Sequence, residues 1–204
     1  RRLIPREIPI ILDCKVGDTG NTVAAYAQGF FDEWDFDAVT ANPYLGEEGL
    51  APLLQRGDRG VIVLARTSNP SSGDLQDRLL ADDEGPRPLF LGVAARASAW
   101  AKRYPATVGL VVGATYPSQL AQVRQACPDL PILLPGIGAQ GGDVATAVSA
   151  GVTACGEGLL VSSSRGIIYA GGDHPDFAEH IRHAAQLLRD EINAVRGVPA
   201  RNVS

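Results

Sequence analysis

Six short apolar runs, at Ile8 to Leu12, Ala38 to Thr40, Val61 to Leu64, Val108 to Val112, Ile132 to Leu134 and Leu159 to Val161, are spaced along the chain. Their strand length and β-branched content predict six strands. Helical segments follow them at Thr22 to Trp34, Gly49 to Gln55, Leu89 to Arg103, Pro117 to Ala126 and Val144 to Ala150, and Asp176 to Val195 closes the chain. A strand that is apolar on both faces must be covered on both. Alternation with helices therefore predicts an α/β fold with a parallel sheet, either open and doubly wound or closed as a (β/α)8 TIM barrel.

Polar residues favour the barrel. Nearly every strand ends in a polar or glycine-containing cluster: Asp13-Cys14-Lys15, Thr40-Ala41-Asn42-Pro43, Arg66-Thr67-Ser68-Asn69-Pro70, Gly113-Ala114-Thr115, Pro135-Gly136-Ile137-Gly138 and Ser162-Ser163-Ser164-Arg165. A barrel gathers all its strand C-termini around one mouth, where its active site is built. Six strands cannot close an eight-stranded barrel, and open edges would leave backbone groups unpaired. The expectation is one catalytic barrel domain over residues 1–204, N-terminally incomplete, with six βα units corresponding to strands 3 to 8. The chain has no methionine, even at residue 1, which agrees with a start inside a longer product.

Composition narrows the function classes. With 204 residues, 45% of them hydrophobic, the chain can bury one sizeable core. Its formal net charge is −5 and no basic stripe is interleaved with aromatics, so no nucleic-acid partner is expected. No apolar run approaches the roughly 18 residues of a membrane span and no secretion signal is evident, so no membrane partner and a cytoplasmic location are expected. Cys14, Cys127 and Cys155 form an odd set without CxxC spacing, which reads as free thiols.

The densest chemical cluster is Asp13-x-Lys15-x-x-Asp18, straight after the first predicted strand. In the plainer interpretation, Asp18 or Thr19 caps a helix and Lys15 is a solvated charge. In the chemical one, alternation at the strand end points Asp13 and Lys15 the same way, into the barrel mouth. A lysine between carboxylates stays protonated and can protonate a developing carbanion. The carboxylates also repel an anionic group set beside them; one such charge pair at ~4 Å and an effective dielectric of ~20 is worth about 4 kcal/mol before screening. Relief of that repulsion would assist loss of a carboxylate as carbon dioxide.

A second cluster, Pro135-Gly136-Ile137-Gly138-Ala139-Gln140-Gly141-Gly142-Asp143, joins a strand to a helix. Such a loop is either a flexible turn or a phosphate cradle of backbone N–H groups, aided by the next helix N-terminus. Ser164-Arg165-Gly166 ends the next strand, where barrels commonly hold phosphate and an arginine can grip it with two bonds. Ser68 is a turn hydroxyl or a hydrogen-bonding partner for a polar ring edge, and Thr22 a first-turn helix residue or a ligand contact. His180 and His183 share a helix face, but without an evident third ligand no metal site is assigned.

From Asp13 to Thr22 the sequence resembles the orotidine 5′-phosphate decarboxylase family, in the branch found mainly in mycobacteria and many other bacteria. The resemblance continues in order through Val39 to Gly46, Thr67 to Pro70, Val112 to Thr115, Leu134 to Asp143 and Ser164 to Ala170. It implies a cofactor-independent carboxy-lyase converting orotidine 5′-phosphate to UMP in de novo pyrimidine biosynthesis. By the same resemblance, Lys15 protonates C6 of the pyrimidine, Asp13 lies beside it in the charge network, and Asp18 and Thr22 reach the neighbouring site of a homodimer. Ser68 meets the pyrimidine edge, Pro135 and Gln140 belong to the loop that closes over the phosphate, and Ser164 and Arg165 hold that phosphate. Neither a metal nor an organic cofactor is implied.

The sequence departs from the family pattern at Val16, where this branch often has arginine, and at Cys14, where it often has alanine. The family's ribose-binding aspartate and second network lysine belong to two upstream strands that this sequence does not contain. Two alternatives stand beside the main expectation. One is a truncated, inactive chain that binds nucleotide phosphate; the other is a related magnesium-dependent sugar-phosphate decarboxylase or aldolase sharing Asp-x-Lys-x-x-Asp.

Overall fold

The computed structural model describes residues 3–81, 85–138 and 142–197. The chain forms an α/β fold in two compact units, Arg1–Thr67 with Ser71–Val111 and Ser68–Pro70 with Val112–Ser204.

The first unit begins with β1 (Ile11–Val16), α1 (Gly20–Ala27), a π-helical turn over Gln28–Glu33, β2 (Ala38–Ala41), α2 (Gly46–Leu54) and β3 (Gly60–Arg66). It continues through the short α3 (Gly73–Gln76), β4 (Leu79–Leu80), β5 (Arg87–Pro88), α4 (Leu89–Arg103) and β6 (Thr107–Val112), whose last residue belongs to the second unit. The main strands lie in the order β1-β2-β3-β6, with β1 parallel to β2 and β2 parallel to β3. Consecutive Val61, Ile62 and Val63 are all buried, so both faces of β3 are covered, as its uninterrupted apolar run requires. Val23, Ala27 and Phe31 are buried at intervals of four, the stripe of a helix lying on a sheet.

The second unit carries α5 (Pro117–Ala126), β7 (Ile132–Pro135), α6 (Val144–Gly151), β8 (Leu159–Ser162), α7 (Ser164–Ile168) and α8 (Phe177–Val195). β7 and β8 pair in parallel from Ile132↔Leu159 to Pro135↔Ser162. Pro117 opens α5 at a position whose N–H would have no helical partner anyway. Arg124 is buried beneath α5 and donates to five carbonyls, of Cys127, Pro128, Leu130, Gly151 and Gly158, at 2.7–3.2 Å. Its guanidinium thus ties the chain entering β7 to the chain entering β8, and burial pulls its pKa below the usual arginine value.

All six predicted strands are present, with one displaced. The run from Ile8 does not start β1: Ile8 N donates to Pro5 O in a turn, Pro9 has no N–H, and pairing with β2 begins at Ile11↔Ala38. β1 consequently runs on through Asp13 and Lys15, which the sequence placed after the strand. The predicted helix over 22–34 is α-helical only to Ala27 before widening into the π turn. The two-residue antiparallel ribbon of β4 and β5 and the five-residue α7 were not anticipated; both are too short to show a hydrophobic period. No helix among the described residues is long and apolar enough to cross a membrane.

Candidate functional site

In the first unit, the Asp13-x-Lys15 cluster sits on a distortion of the β1–β2 ladder. Leu12 pairs with Val39 and Val16 with Ala41, so the three residues Asp13, Cys14 and Lys15 stand opposite Thr40 alone. A bulge of this kind bends a strand and re-aims its side chains. Lys15 takes a φ of 50°, a left-handed conformation uncommon for a residue with a Cβ. Its Nζ reaches back to Asp13 Oδ1 at 2.7 Å, and both side chains remain more than half exposed, at 52% and 60%.

Thr40 holds this bulge. It is completely buried. Its Oγ1 accepts from Lys15 N at 2.8 Å and donates to Asp13 Oδ1 at 2.9 Å, while its carbonyl accepts from Cys14 Sγ at 3.4 Å. Burial pushes the Cys14 thiol up from the ordinary cysteine pKa. Sequence reasoning gave Thr40 no role of its own, counting it as the end of an apolar run and the first residue of the polar cluster Thr40-Ala41-Asn42-Pro43; a threonine shared by the two was the available signal.

Asp18 and Thr22 follow along the chain. Asp18 Oδ1 accepts from Thr19 N at 2.7 Å, and no bond joins it to Asp13 or Lys15 among the described residues. Neither Asp18 nor Thr19 makes a side-chain cap on α1; Glu48 does so from α2, its Oε1 accepting from Gly20 N at 2.8 Å. The helix-capping interpretation of this cluster is therefore replaced by a cap from outside it. Gly49 lets α2 approach closely, since a Cβ there would lie 2.7 Å from Asp18 O. Thr22 lies in the first turn of α1, half-buried.

The other predicted residues belong to the second unit by sequence range. Ser68 packs against Gly113, where a Cβ would come within 2.8 Å of the serine Cα and Cβ, so only glycine fits. Pro135 ends β7, its carbonyl accepting from Ala114 N at 2.8 Å. Beyond it the chain turns at Gly136 and Gly138, with φ of 97° and 73°, values that glycine adopts freely. Gly138 N donates to Gly142 O at 3.0 Å, closing the loop, while Gln140 lies outside the described residues. Ser163 Oγ donates to Ile137 O at 3.3 Å and thereby ties this loop to the one bearing Ser164 and Arg165. Both of those side chains are exposed on α7, and Arg165 has no ion pair among the described residues.

At the N-terminus of α6, anticipated as positive potential for an anion, Asp143 accepts from Thr146 N at 2.7 Å, and hydrogen bonding from the Thr146 side chain and then its backbone lowers the carboxyl pKa. His174 and His180 meet edge to face, 4.7 Å between centroids, and no group of three metal-ligating side chains is found among the described residues.

A model of the orotidine 5′-phosphate decarboxylase / HUMPS family matches residues 1–180. The chain is 55% identical over 196 residues to the orotidine 5′-phosphate decarboxylase of Thermomicrobium roseum, covering 96% of this chain and 68% of that one. To the orotidine 5′-phosphate decarboxylase of Roseiflexus castenholzii it is 51% identical over 187 residues, covering 91% and 66%. It thus spans about two thirds of the length of these curated relatives. Among solved structures, Leishmania donovani OMP decarboxylase superposes with a TM-score of 0.84 at 41% identity, over 97% of this chain and 72% of that one. UMP synthase of the same organism gives a TM-score of 0.84 at 43% identity, over 96% of this chain and 41% of that one.

Proposed function

The chain belongs to the orotidine 5′-phosphate decarboxylase / HUMPS family, and from that premise we propose that it carries most of the active site of a cofactor-independent carboxy-lyase. The reaction is conversion of orotidine 5′-phosphate to UMP and carbon dioxide. In this reading β1, β2, β3, β6, β7 and β8 are the third to eighth strands of a (β/α)8 barrel. The protein acts in the cytoplasm, in pyrimidine biosynthesis.

The Asp13–Lys15 pair carries the proposal: its Nζ to Oδ1 distance of 2.7 Å, on a bulge with strained backbone, presents a localised acid beside a fixed negative charge. As the carboxylate leaves, the electron pair stays on C6 of the pyrimidine and the Lys15 ammonium supplies a proton there. Asp13 holds the ammonium beside it and disfavours the substrate carboxylate more than the product. Ser68 hydrogen-bonds the pyrimidine edge. Arg165, with the Ser164 backbone, grips the phosphate, while Pro135 and Gln140 belong to the loop that covers it. Asp18 and Thr22 serve the ribose of the neighbouring site in a homodimer.

Formation of UMP from orotidine 5′-phosphate by the intact protein, followed chromatographically with a chelator present throughout, tests this reading. Equimolar conversion is expected. No conversion of orotidine 5′-phosphate, with turnover of a sugar phosphate when magnesium replaces the chelator, would instead support the metal-dependent relative.

A further inference from the structure

Resting on the reading of Lys15 as the proton donor, we propose that Thr40 is a positioning residue whose hydroxyl sets where that ammonium stands. The three residues of the bulge have one neighbour across the ladder, and that neighbour bonds all three. A single hydroxyl can accept one bond and donate another. Thr40 Oγ1 does both, accepting from the backbone of Lys15 and donating to Asp13 Oδ1. Asp13 Oδ1 in turn accepts from Lys15 Nζ. The bonds close a ring that leaves Lys15 at its backbone and returns to it at its side-chain tip, with the threonine oxygen as the corner.

This ring accounts for the backbone strain at Lys15. Extra residues in a strand lose their ladder partners, and the left-handed conformation at Lys15 persists only if its surroundings over-determine it. The Lys15 N–H has lost a main-chain acceptor and takes the threonine hydroxyl instead. The exposed ion pair alone cannot hold such a geometry, because two solvated side chains gain little from pairing. Thr40 is completely buried, so the ring is anchored at the one corner that water does not reach.

Thr40→Val keeps the shape of the side chain and removes the hydroxyl, whereas Thr40→Ser keeps the hydroxyl and removes a methyl. Both are made in the intact protein and assayed beside the unsubstituted protein for kcat and KM with orotidine 5′-phosphate, for UMP affinity and for thermal midpoint. The valine variant is expected to lose about 10- to 100-fold in kcat, the effect of a lost hydrogen bond to a charged group, with KM and UMP affinity within about twofold. The serine variant is expected to recover most of kcat. Unchanged kcat in the valine variant overturns the inference, as does an equal loss in both variants. A loss of UMP affinity parallel to kcat also overturns it, because a general structural role would produce that. Inactivity of the unsubstituted protein overturns the reading of the site itself, and the inference with it.

Discussion

Lys15 Nζ lies 2.7 Å from Asp13 Oδ1, two residues back along a strand whose alternation has been broken to bring them together. In a regular strand, residues two apart project from the same face some 6.5–7 Å apart, measured along the rise. The bulge and the φ of 50° at Lys15 fold that interval so that the two side chains meet. Exposed pairs of this kind contribute roughly 0–1 kcal/mol to stability, while an uncommon backbone conformation costs of order 1–3 kcal/mol. The arrangement is therefore unfavourable as a stabilising device and makes sense as a chemical one.

Phosphate binding is predicted to depend on Arg165. Replacing it by alanine should weaken UMP binding about 10- to 100-fold, from the loss of charge-assisted bonds worth about 1.5–3 kcal/mol. Turnover should fall as well, since remote binding energy can be used to close a loop over the reacting centre. Arg165→Lys should recover only part of the affinity, because an ammonium lacks the planar fork. Titration calorimetry with UMP measures all three proteins, and equal affinities would remove Arg165 from the phosphate site.

Stability should depend strongly on Arg124, which touches no predicted site residue. Arg124→Met retains a long side chain and takes the guanidinium donor away from the carbonyls of Cys127, Pro128, Leu130, Gly151 and Gly158, the last of which keeps its bond from Ile132 N. Even with water reaching some of them, a loss of about 3 kcal/mol or more is expected, at about 1–3 kcal/mol per buried group left unpaired. Urea denaturation reads the difference. A change below about 1 kcal/mol would mean that water replaces the guanidinium at little cost.

Much of this was legible in the sequence, and the misses have physical causes. α4 and α5 begin and end where predicted, because Pro88 and Pro117 mark their starts and their apolar stripes are long. β1 was misplaced because its polar residues break the alternation of a regular strand, and only the partner strand reveals that a bulge absorbs them. That Asp13 and Lys15 stand together was expected from their spacing; the bonds of Thr40 were not, since they join it to residues some 25 positions away. Likewise, nothing in the sequence distinguishes Glu48, which caps α1, from Glu47, which accepts from Trp100 and Tyr104.

The cap on α6 sets a pH dependence. Thr146 holds the Asp143 carboxyl below its ordinary pKa of about 3.9. A depressed folded-state pKa means that the unfolded chain takes up the proton first as pH falls. The stabilisation is therefore complete above about pH 4 and disappears as pH drops through the lower, folded value. Asp143→Asn keeps a capping oxygen without this ionisation. Its thermal midpoint should fall less steeply than the parent's between about pH 5 and pH 2; parallel curves would show that the cap does not titrate in this range.

In the proposed reaction Lys15 delivers the proton that completes decarboxylation. Its most direct test compares the intact protein and its Lys15→Ala variant side by side, following loss of orotidine 5′-phosphate absorbance with chelator in both samples. The account predicts steady loss with the parent and none with the variant, while both still bind UMP, because the lysine acts on the reacting carbon and the phosphate is held elsewhere. Continued turnover by the variant, or no turnover by the parent, would contradict it.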